Sequence, residues 1–231
     1  MSNHTLSNYD QQLSKLTKSI LQMGALVRTL IQNSAIALLT KDTALVEFAV
    51  NTDKQINELD FEIENMATVV LALQNPMAID LRFVTSALKI ANMLEQCGDL
   101  AKNITKRSQK MGNYTAKQIE APLHEMVGIV LNMLDGALDS IDKRDPKKAI
   151  QVWIQDDGVD ELYHQILGTM QQEMQKHPDH VEACTHVVFA AKNFERIADY
   201  ATSMAKTVYY VTSGEVASKA ALRKAIEELK E

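Results

Sequence analysis

The sequence predicts an all-α protein built as two tandem, pseudo-symmetric three-helix bundles of long antiparallel helices. Three observations predict this fold. Good helix formers dominate the 231 residues, whereas Gly occurs 8 times and Pro 4 times. Apolar residues recur every three or four positions, as they do along one face of a helix. The order of helices and breaks in the first half of the chain then returns in the second half.

Three helices are predicted in the first half. An apolar stripe that includes Leu13 and Ile20 marks the first helix, and the segment TKDT ends it. Asp42 is suited to cap the second helix. Asn75 and Pro76 have the form of a cap followed by Pro at the first position of a third helix. The predicted helices span about 9–39, about 42–73 and about 76–110.

The second half repeats this order. Asp145 and Pro146 again form a cap and a Pro start, and Ser213 with Gly214 stops the last helix. The predicted helices span about 117–142 (with Pro122 favouring a start nearer 121), about 146–175 and about 178–212. We therefore predict one bundle in residues 1–112, a second in 113–214, and a charged tail in 215–231 that forms a short amphipathic helix.

The two halves align as an internal duplication. KDTALVEFAVNTDKQINEL (41–59) matches RDPKKAIQVWIQDDGVDEL (144–162), which aligns Asp53 with Asp156. Farther along, MLEQCGDLA and NFERIADYA align, and each contains an acidic pair one helical turn apart. Like charges at this spacing destabilise a helix by ~0.2–0.5 kcal/mol, so their recurrence calls for an explanation.

These carboxylates are candidate metal ligands. Each acidic pair borders an apolar stripe, and a second polar row lies on the preceding helix. If neighbouring helices bring the rows together, each half gathers three or four carboxylates at one seam. Hard oxygen ligands suit divalent or ferric cations, magnesium and manganese included, and the lack of thiolates argues against a structural zinc site. The predicted ligands are Asp53, Asn57, Glu95, Asp99, Asp156, Asp160, Glu195 and Asp199.

A different interpretation stays open from the residues alone. Basic side chains can neutralise acidic rows as ion pairs, and Arg82, Lys89, Lys192 and Arg196 are the candidates. Duplication preserves ion pairing as readily as it preserves a metal site, so the pattern does not decide between the two.

Composition and motifs exclude several functional classes. A formal net charge of −6 argues against a protein whose main role is to bind nucleic acid. The sequence contains no glycine-rich phosphate loop, GxSxG or catalytic Cys-His pattern, so we predict no catalytic residues and no organic cofactor. Cys97 and Cys184 are predicted to be buried, reduced thiols. The polar opening MSNHTLSNYD is unlike a signal peptide, and we expect a soluble, cytoplasmic protein that meets membranes only through partners.

Five segments resemble those of a known family, in the right halves and at the right spacing. They are NPMAIDLR (75–82), LEQCGDLAKNI (94–104), DDGVDELY (156–163), NFERIADYATSMAK (193–206) and YYVTSGE (209–215). Together they resemble the PhoU family, the accessory proteins of phosphate-specific transport. The resemblance covers nearly the whole chain.

The resemblance implies a non-enzymatic regulator of inorganic phosphate uptake. PhoU-like proteins act with the ATPase of the phosphate ABC transporter and with the sensor histidine kinase of the phosphate regulon, and help keep that regulon off when phosphate is plentiful. Their E/DxxxD motifs bind multinuclear metal clusters, of iron or zinc in some members. Carried over, these motifs fall on the eight residues named above, apart from Asn57. A homodimer is also expected.

Departures from the family pattern put equal metal affinity at the two sites in doubt. The family's ERIGD reads EQCGD in the first half, with Gln96 for Arg, and ERIAD in the second, with Ala198 for Gly. Asn57 stands where a carboxylate would complete the first row, and Ser203 replaces the Asn found at 103. The alternative function is a carboxylate-rich, metal-dependent helical enzyme, either a phosphohydrolase or an oxidase.

Overall fold

The computed structural model describes residues 2–218, and these residues form helices joined by short connections, with no β-strand among them. This confirms the all-α prediction. Two single 3₁₀ turns, Lys117–Ile119 and Pro178–His180, precede helices. The helices are α1 (Ser2–Thr40), α2 (Ala44–Gln74), α3 (Ala78–Ser108), α4 (Glu120–Lys143), α5 (Pro146–Ile154), α6 (Asp156–Lys176) and α7 (Val181–Ser213). Most of the predicted tail, residues 219–231, lies outside the described residues.

Two predicted helix starts were wrong. The backbone of α1 is already helical at Ser2, because the polar opening segment contains no Gly or Pro to stop it. In the turn before α3, Asn75 adopts the left-handed conformation (φ 46°, ψ 57°) and ends α2 instead of capping α3. Pro76 therefore lies in the connection, and α3 begins two residues later.

The predicted fifth helix is interrupted at Gln155. The N–H of Gln155 donates to the carbonyl of Val152, and the N–H of Gly158 donates to the carbonyl of Gln155, so tight three-residue turns replace the regular helical bonds. The sequence carries no Pro or Gly at the break itself. As a result Asp156 opens α6, whereas its aligned residue Asp53 lies inside the continuous helix α2.

Two of the predicted caps were correct. The side chain of Asp145 accepts hydrogen bonds from the backbone N–H groups of Lys147 and Lys148, with Pro146 at the start of α5. Asp42 accepts the backbone N–H of Ala44, but it lies one residue before Thr43, the N-cap of α2, whose side chain makes no capping hydrogen bond. Gly214 takes a left-handed conformation (φ 76°) that ends α7.

The seven helices form two bundles that share one continuous core. Helices α1, α2 and α3 make the first bundle, and α4 to α7 make the second, with α5 and α6 together taking the place of α2. The bundles meet where α3 packs against α7 and α1 packs against α4. This leaves α2 and α6 as outer helices, each facing solvent on one side. Cys97 and Cys184 are buried free thiols, as predicted.

Helix α1 is long and apolar enough, by length and composition, to cross a membrane, and it is the one such helix among the described residues. A core helix of a soluble protein passes the same test. Leu16, Ile20 and Met23 of α1 have no exposed surface, and α1 packs against α2, α3 and α4. We therefore interpret α1 as a core helix of the bundle.

Contacts between helix ends define the direction of each helix. Near the start of α3, Arg82 donates to the carbonyl of Val211 at the end of α7 (3.2 Å), and Asp80 lies 3.9 Å from Arg144 at the end of α4. At the opposite end of the molecule, Lys41 after α1 donates to a carbonyl in the α3–α4 connection. Each half thus passes along the molecule three times, and the second half runs opposite to the first.

The seam between α2 and α3 is closely packed at Gly98. A Cβ atom on Gly98 would lie 2.9 Å from Cδ1 of the buried residue Ile56 on α2. The aligned residues in the second half are Ala198 and Val159, which are also buried. Compared with the first half, the second half thus has one methylene group fewer on its outer helix, α6, and one methyl group more on its inner helix, α7.

Candidate functional site: two acidic rows

The first acidic row is the set of carboxylates along the seam between α2 and α3, namely Asp53, Asp60, Glu95 and Asp99. Asp53 is buried, with 7% of its surface exposed, although it is a charged residue. Glu95 and Asp99 are half-buried one turn apart on α3. The predicted meeting of α2 and α3 carboxylates is therefore present in the structure.

Lys102 lies between the two helices of the first row. Its Nζ donates to Oδ2 of Asp53 on α2 at 2.7 Å and to Oδ1 of Asp99 on α3 at 2.5 Å. The side chain of Lys102 is 16% exposed and that of Asp53 is 10% exposed, so water screens this pair less than a surface pair. Burial works to lower the pKa of Lys102, but the hydrogen bonds to both carboxylates outweigh it and raise the pKa above 10.5.

The neighbouring carboxylates of the first row affect the pKa of Glu95. Its pKa is raised by burial first, then by Asp99, and further by Asp60 and Asp53. A hydrogen bond from Nε2 of Gln96 to Oε2 of Glu95 (2.6 Å) works in the opposite direction. The residue that replaces the family's Arg thus supplies Glu95 with a neutral donor.

Asn57 was predicted as a ligand, but its side chain is exposed. The buried residues Asp53, Ile56 and Ile63 set the rotation of α2, and position 57 turns outward from the seam. Asp60, which the sequence analysis did not select, lies half-buried on the inner side, and burial together with the charge of Glu64 raises its pKa.

The second acidic row lies along the seam between α6 and α7 and consists of Asp156, Asp160, Glu195 and Asp199. Glu195 is buried, with 9% of its surface exposed. The pKa of Asp199 is raised by burial first, and then by the charges of Glu195 and Asp156. All four predicted ligands of the second half are therefore close enough to act on one another.

The hydrogen bond that joins α6 to α7 in the second row comes from an uncharged donor. Oγ1 of Thr202 on α7 donates to Oδ1 of Asp156 on α6 at 3.3 Å. The pKa of Asp156 is nevertheless raised, because burial and the charges of Asp160 and Asp157 outweigh this hydrogen bond and the charge of Lys206. Thr202 is the residue that aligns with Lys102, so a hydroxyl group stands where the first row has an ammonium group.

The nearest cation of the second row sits on the same helix as its partner. Nζ of Lys192 lies 2.6 Å from Oε2 of Glu195, three residues away on α7. Lys192 is 44% exposed and lies 5.3 Å from the ring of Tyr163, which aligns with Asp60. The row has no ion pair that joins α6 to α7 among the described residues.

The two rows differ in how well they fit a metal ion. Within residues 2–218, no group of three or more His, Cys, Asp and Glu side chains is already arranged to hold one. In the first row, Lys102 occupies the space between Asp53 and Asp99, so a metal does not fit there without displacing it. In the second row the carboxylates repel one another, and the charges of Lys192 and Lys206 offset this repulsion only in part. These carboxylates would still have to converge to ligate a metal.

Whether a metal ion or a basic side chain balances the acidic pairs is thus answered in part. Lys192 was among the predicted neutralising residues and does pair with Glu195. Lys102 was missed, although it stands three residues after Asp99 on α3, the spacing of an intrahelical pair. That spacing was a usable signal, whereas its reach across to Asp53 depends on how α2 packs.

A family model described as PhoU domain matches this chain twice, over residues 20–108 and 123–208. Each match falls on one of the two bundles and includes the acidic row of that bundle. The chain belongs to the PhoU family. The resemblance of the five sequence segments is therefore confirmed.

Relatives in the PhoU family extend over almost the full length of this chain. The phosphate-specific transport system accessory protein PhoU homolog of Caulobacter vibrioides is 36% identical over 93% of this chain and 94% of its own length. The protein of the same name from Rhizobium meliloti is 34% identical over 91% of this chain and 90% of its own.

Solved PhoU structures share the fold. The crystal structure of PhoU from Pseudomonas aeruginosa matches with a TM-score of 0.85 at 26% identity, covering 90% of this chain and all of the other. The phosphate transport system regulatory protein PhoU from Streptococcus pneumoniae matches with a TM-score of 0.80 at 28% identity. The predicted pair of pseudo-symmetric three-helix bundles is therefore the PhoU fold.

Proposed function

We propose that this protein is an accessory regulator of inorganic phosphate transport. The observation that carries the proposal is the double PhoU match, one per bundle, together with relatives named as phosphate-specific transport accessory proteins over more than nine-tenths of this chain. Following the family resemblance, its partners are the ATPase of the phosphate ABC transporter and the sensor histidine kinase of the phosphate regulon. Its effect on that regulon is negative when phosphate is plentiful.

Deletion in the source organism tests the regulatory role. We expect the deletion to raise the output of an alkaline phosphatase-type reporter in high phosphate, and a plasmid copy of the gene to restore repression. Affinity purification of the tagged chain from membranes should also recover the transporter's ATPase. An unchanged reporter in high phosphate would argue strongly against the proposal.

We propose that the role is not enzymatic. The names of the relatives describe accessory and regulatory proteins, which favours contact with partners over catalysis. The alternative, a metal-dependent phosphohydrolase or oxidase, predicts turnover of a phosphoester or reduction of oxygen that rises with metal content. Assays of the purified protein with and without added iron, zinc, manganese or magnesium distinguish the two.

Metal binding is proposed for the second acidic row in preference to the first. Asp156, Glu195 and Asp199, with Asp160 beside them, would hold the ion, and it would neutralise carboxylates that now repel one another across α6 and α7. Iron or zinc is favoured by the family resemblance, and magnesium or manganese by the oxygen ligands.

Elemental analysis of protein purified without chelators tests this assignment. Glu195→Gln/Asp199→Asn should lose the metal, while Glu95→Gln/Asp99→Asn, the matched change in the first row, should keep it. Wild-type protein that holds no metal after reloading with iron or zinc would contradict metal binding.

A cytoplasmic homodimer is the proposed assembly. The outer helix α2 carries exposed apolar side chains at Phe61, Val69 and Leu73, one to three turns apart on one side. Light scattering after gel filtration measures the mass directly. A monomer at micromolar concentration that stays monomeric at higher concentration would contradict the proposed dimer.

A further inference from the structure

The first acidic row already contains the cation that its carboxylates require. Lys102 contributes an ammonium group whose hydrogen bonds reach both helices of the seam, at 2.7 Å to Asp53 and 2.5 Å to Asp99. Both the Lys102 and Asp53 side chains are largely shielded from solvent. An ammonium group in this position resembles a bridging metal, since it places a positive charge between two carboxylates and joins two helices.

The aligned position in the second half shows that the fold does not require a lysine here. Thr202 takes the place of Lys102 and donates a neutral hydrogen bond to Asp156, the counterpart of Asp53. The same backbone frame thus carries a charged bridge in one half and a hydroxyl bridge in the other.

We infer that Lys102 is a built-in replacement for a metal ion, so that the first bundle is closed without metal and any metal bound by this protein goes to the second row. The inference deepens the metal proposal for the acidic rows made above. It differs from a general surface ion pair because Lys102 takes up the space between the carboxylates that a metal would need. Removal of its charge should therefore open the first row to a cation.

Manganese titration of five proteins tests this exchange, with the sharp electron paramagnetic resonance signal of free Mn²⁺ reporting unbound metal. Wild type and Asp99→Asn should bind the same number of Mn²⁺ equivalents. Lys102→Met should bind at least one equivalent more than wild type, and Lys102→Met/Asp99→Asn should lose that gain. Lys106 is an exposed lysine one turn farther along α3. Lys106→Met is therefore the matched control and should bind as much Mn²⁺ as wild type.

Thermal unfolding provides a second measurement on the same proteins. Without metal, Lys102→Met should melt about 5 °C below wild type, because two carboxylates lose their shared donor. Added Mn²⁺ should recover most of this loss in Lys102→Met and none of it in the double variant. Lys102→Arg, which keeps a cation, should stay near the wild-type melting temperature and gain no Mn²⁺.

A labelling experiment on the wild-type protein removes any dependence on the folding of variants. Acetylation followed by mass spectrometry should modify Lys102 much more slowly than Lys106, and the Lys102 rate should not change as Mn²⁺ is added. A Lys102 rate that rises with Mn²⁺ would mean that metal displaces the lysine, and the inference would be wrong. It would also be overturned if Lys102→Met bound no more Mn²⁺ than wild type, or if Asp99→Asn alone lost an equivalent.

These outcomes are separate from those of the proposed function. Loss of phosphate-dependent repression concerns the whole protein and its partners, whereas the Mn²⁺ count and the Lys102 labelling rate concern the first row alone. A protein that regulates phosphate transport and still admits metal beside Lys102 would refute only this inference.

Discussion

In the first acidic row an ammonium group crosses the seam from α3 to α2, whereas in the second row the nearest ammonium group stays on α7 beside its own partner. Three acids of each row occupy aligned positions, whereas Asp60 aligns with Tyr163 and Asp160 aligns with Asn57. The cations do not align at all. Lys102 aligns with Thr202, and Lys192 aligns with Asn92. The duplicated halves have therefore kept three of the four negative charges in place and have diverged in how those charges are balanced.

This difference has an energetic consequence. A carboxylate that shares a shielded ammonium group contributes to the stability of the fold, while carboxylates that repel one another reduce it. The Lys102 contacts to Asp53 and Asp99 are thus expected to be a source of stability, and the second row a site that a bound cation would stabilise. Three predictions test this contrast.

The largest effect is expected from removal of the buried carboxylate of the first row. Asp53→Asn keeps the size of the side chain but loses the charged hydrogen bond to Lys102, and we expect it to lower the free energy of unfolding by about 2 kcal/mol. The aligned change Asp156→Asn should stay within ~0.5 kcal/mol of wild type, because an amide oxygen still accepts from Thr202 and one repelling charge is gone.

Denaturant unfolding in chelator measures both variants. Equal losses for Asp53→Asn and Asp156→Asn would contradict the contrast between the rows.

A smaller effect is expected from exchange of the apolar contact that sets the distance between α2 and α3. In Gly98→Ala the new methyl group would press against Ile56, and this crowding should outweigh the gain in helix propensity by about 1 kcal/mol. Gly98→Ala/Ile56→Val reproduces the Ala198 and Val159 pair of the second half and should return to within ~0.5 kcal/mol of wild type.

Ile56→Val alone is the control for this exchange and should cost about 0.5–1.5 kcal/mol for its lost methylene. If the two single changes simply add in the double variant, the two positions are not coupled, and the compensation inferred from the alignment is wrong.

The smallest effect concerns the pH dependence of the second row. Burial and the charges of Glu195 and Asp156 raise the pKa of Asp199 above 3.8, so the folded state binds this proton more tightly than the unfolded chain does. The folded protein is therefore penalised above the raised pKa, and the penalty fades as the pH falls toward 3.8. Asp199→Asn should raise the melting temperature at neutral pH by only about 1 °C, because Asp199 is only partly buried and water screens much of its charge.

The gain of Asp199→Asn should disappear in acid and shrink in high salt. Melting curves across this pH range, in chelator, check the prediction against Glu161→Gln on the exposed face of α6. A gain that grows as the pH falls would have the wrong sign for the proposed repulsion.

Local sequence signals predicted most of the fold. Asp145 with Pro146 and Ser213 with Gly214 marked helix ends correctly, because caps and left-handed glycines act through their own backbone neighbours. The break at Gln155 had no such signal. The left-handed role of Asn75 was misread because Asn serves both as an N-cap and as a helix terminator.

The positions of the acidic residues in the candidate site could be predicted from the sequence. The contacts that these residues make across the helices could be predicted less well. The repeated acidic pairs located both seams, since i and i+4 positions share one helix face. The choice between Asn57 and Asp60 depends on the rotation of α2 within the bundle, which the core residues around Ile56 determine together. The reach of Lys102 to Asp53 likewise depends on the distance between two helices, and no local pattern encodes that distance.

The three passes of each half also determine where α1 begins and where α7 ends. An odd number of passes brings the first half to the far end of the molecule, and three more bring the second half back to the end where α1 starts. The order of the halves along the chain is therefore not essential to the fold. A circular permutant that opens in the connection between α3 and α4 and joins the end of α7 to the start of α1 retains every helix, and both acidic rows, in place.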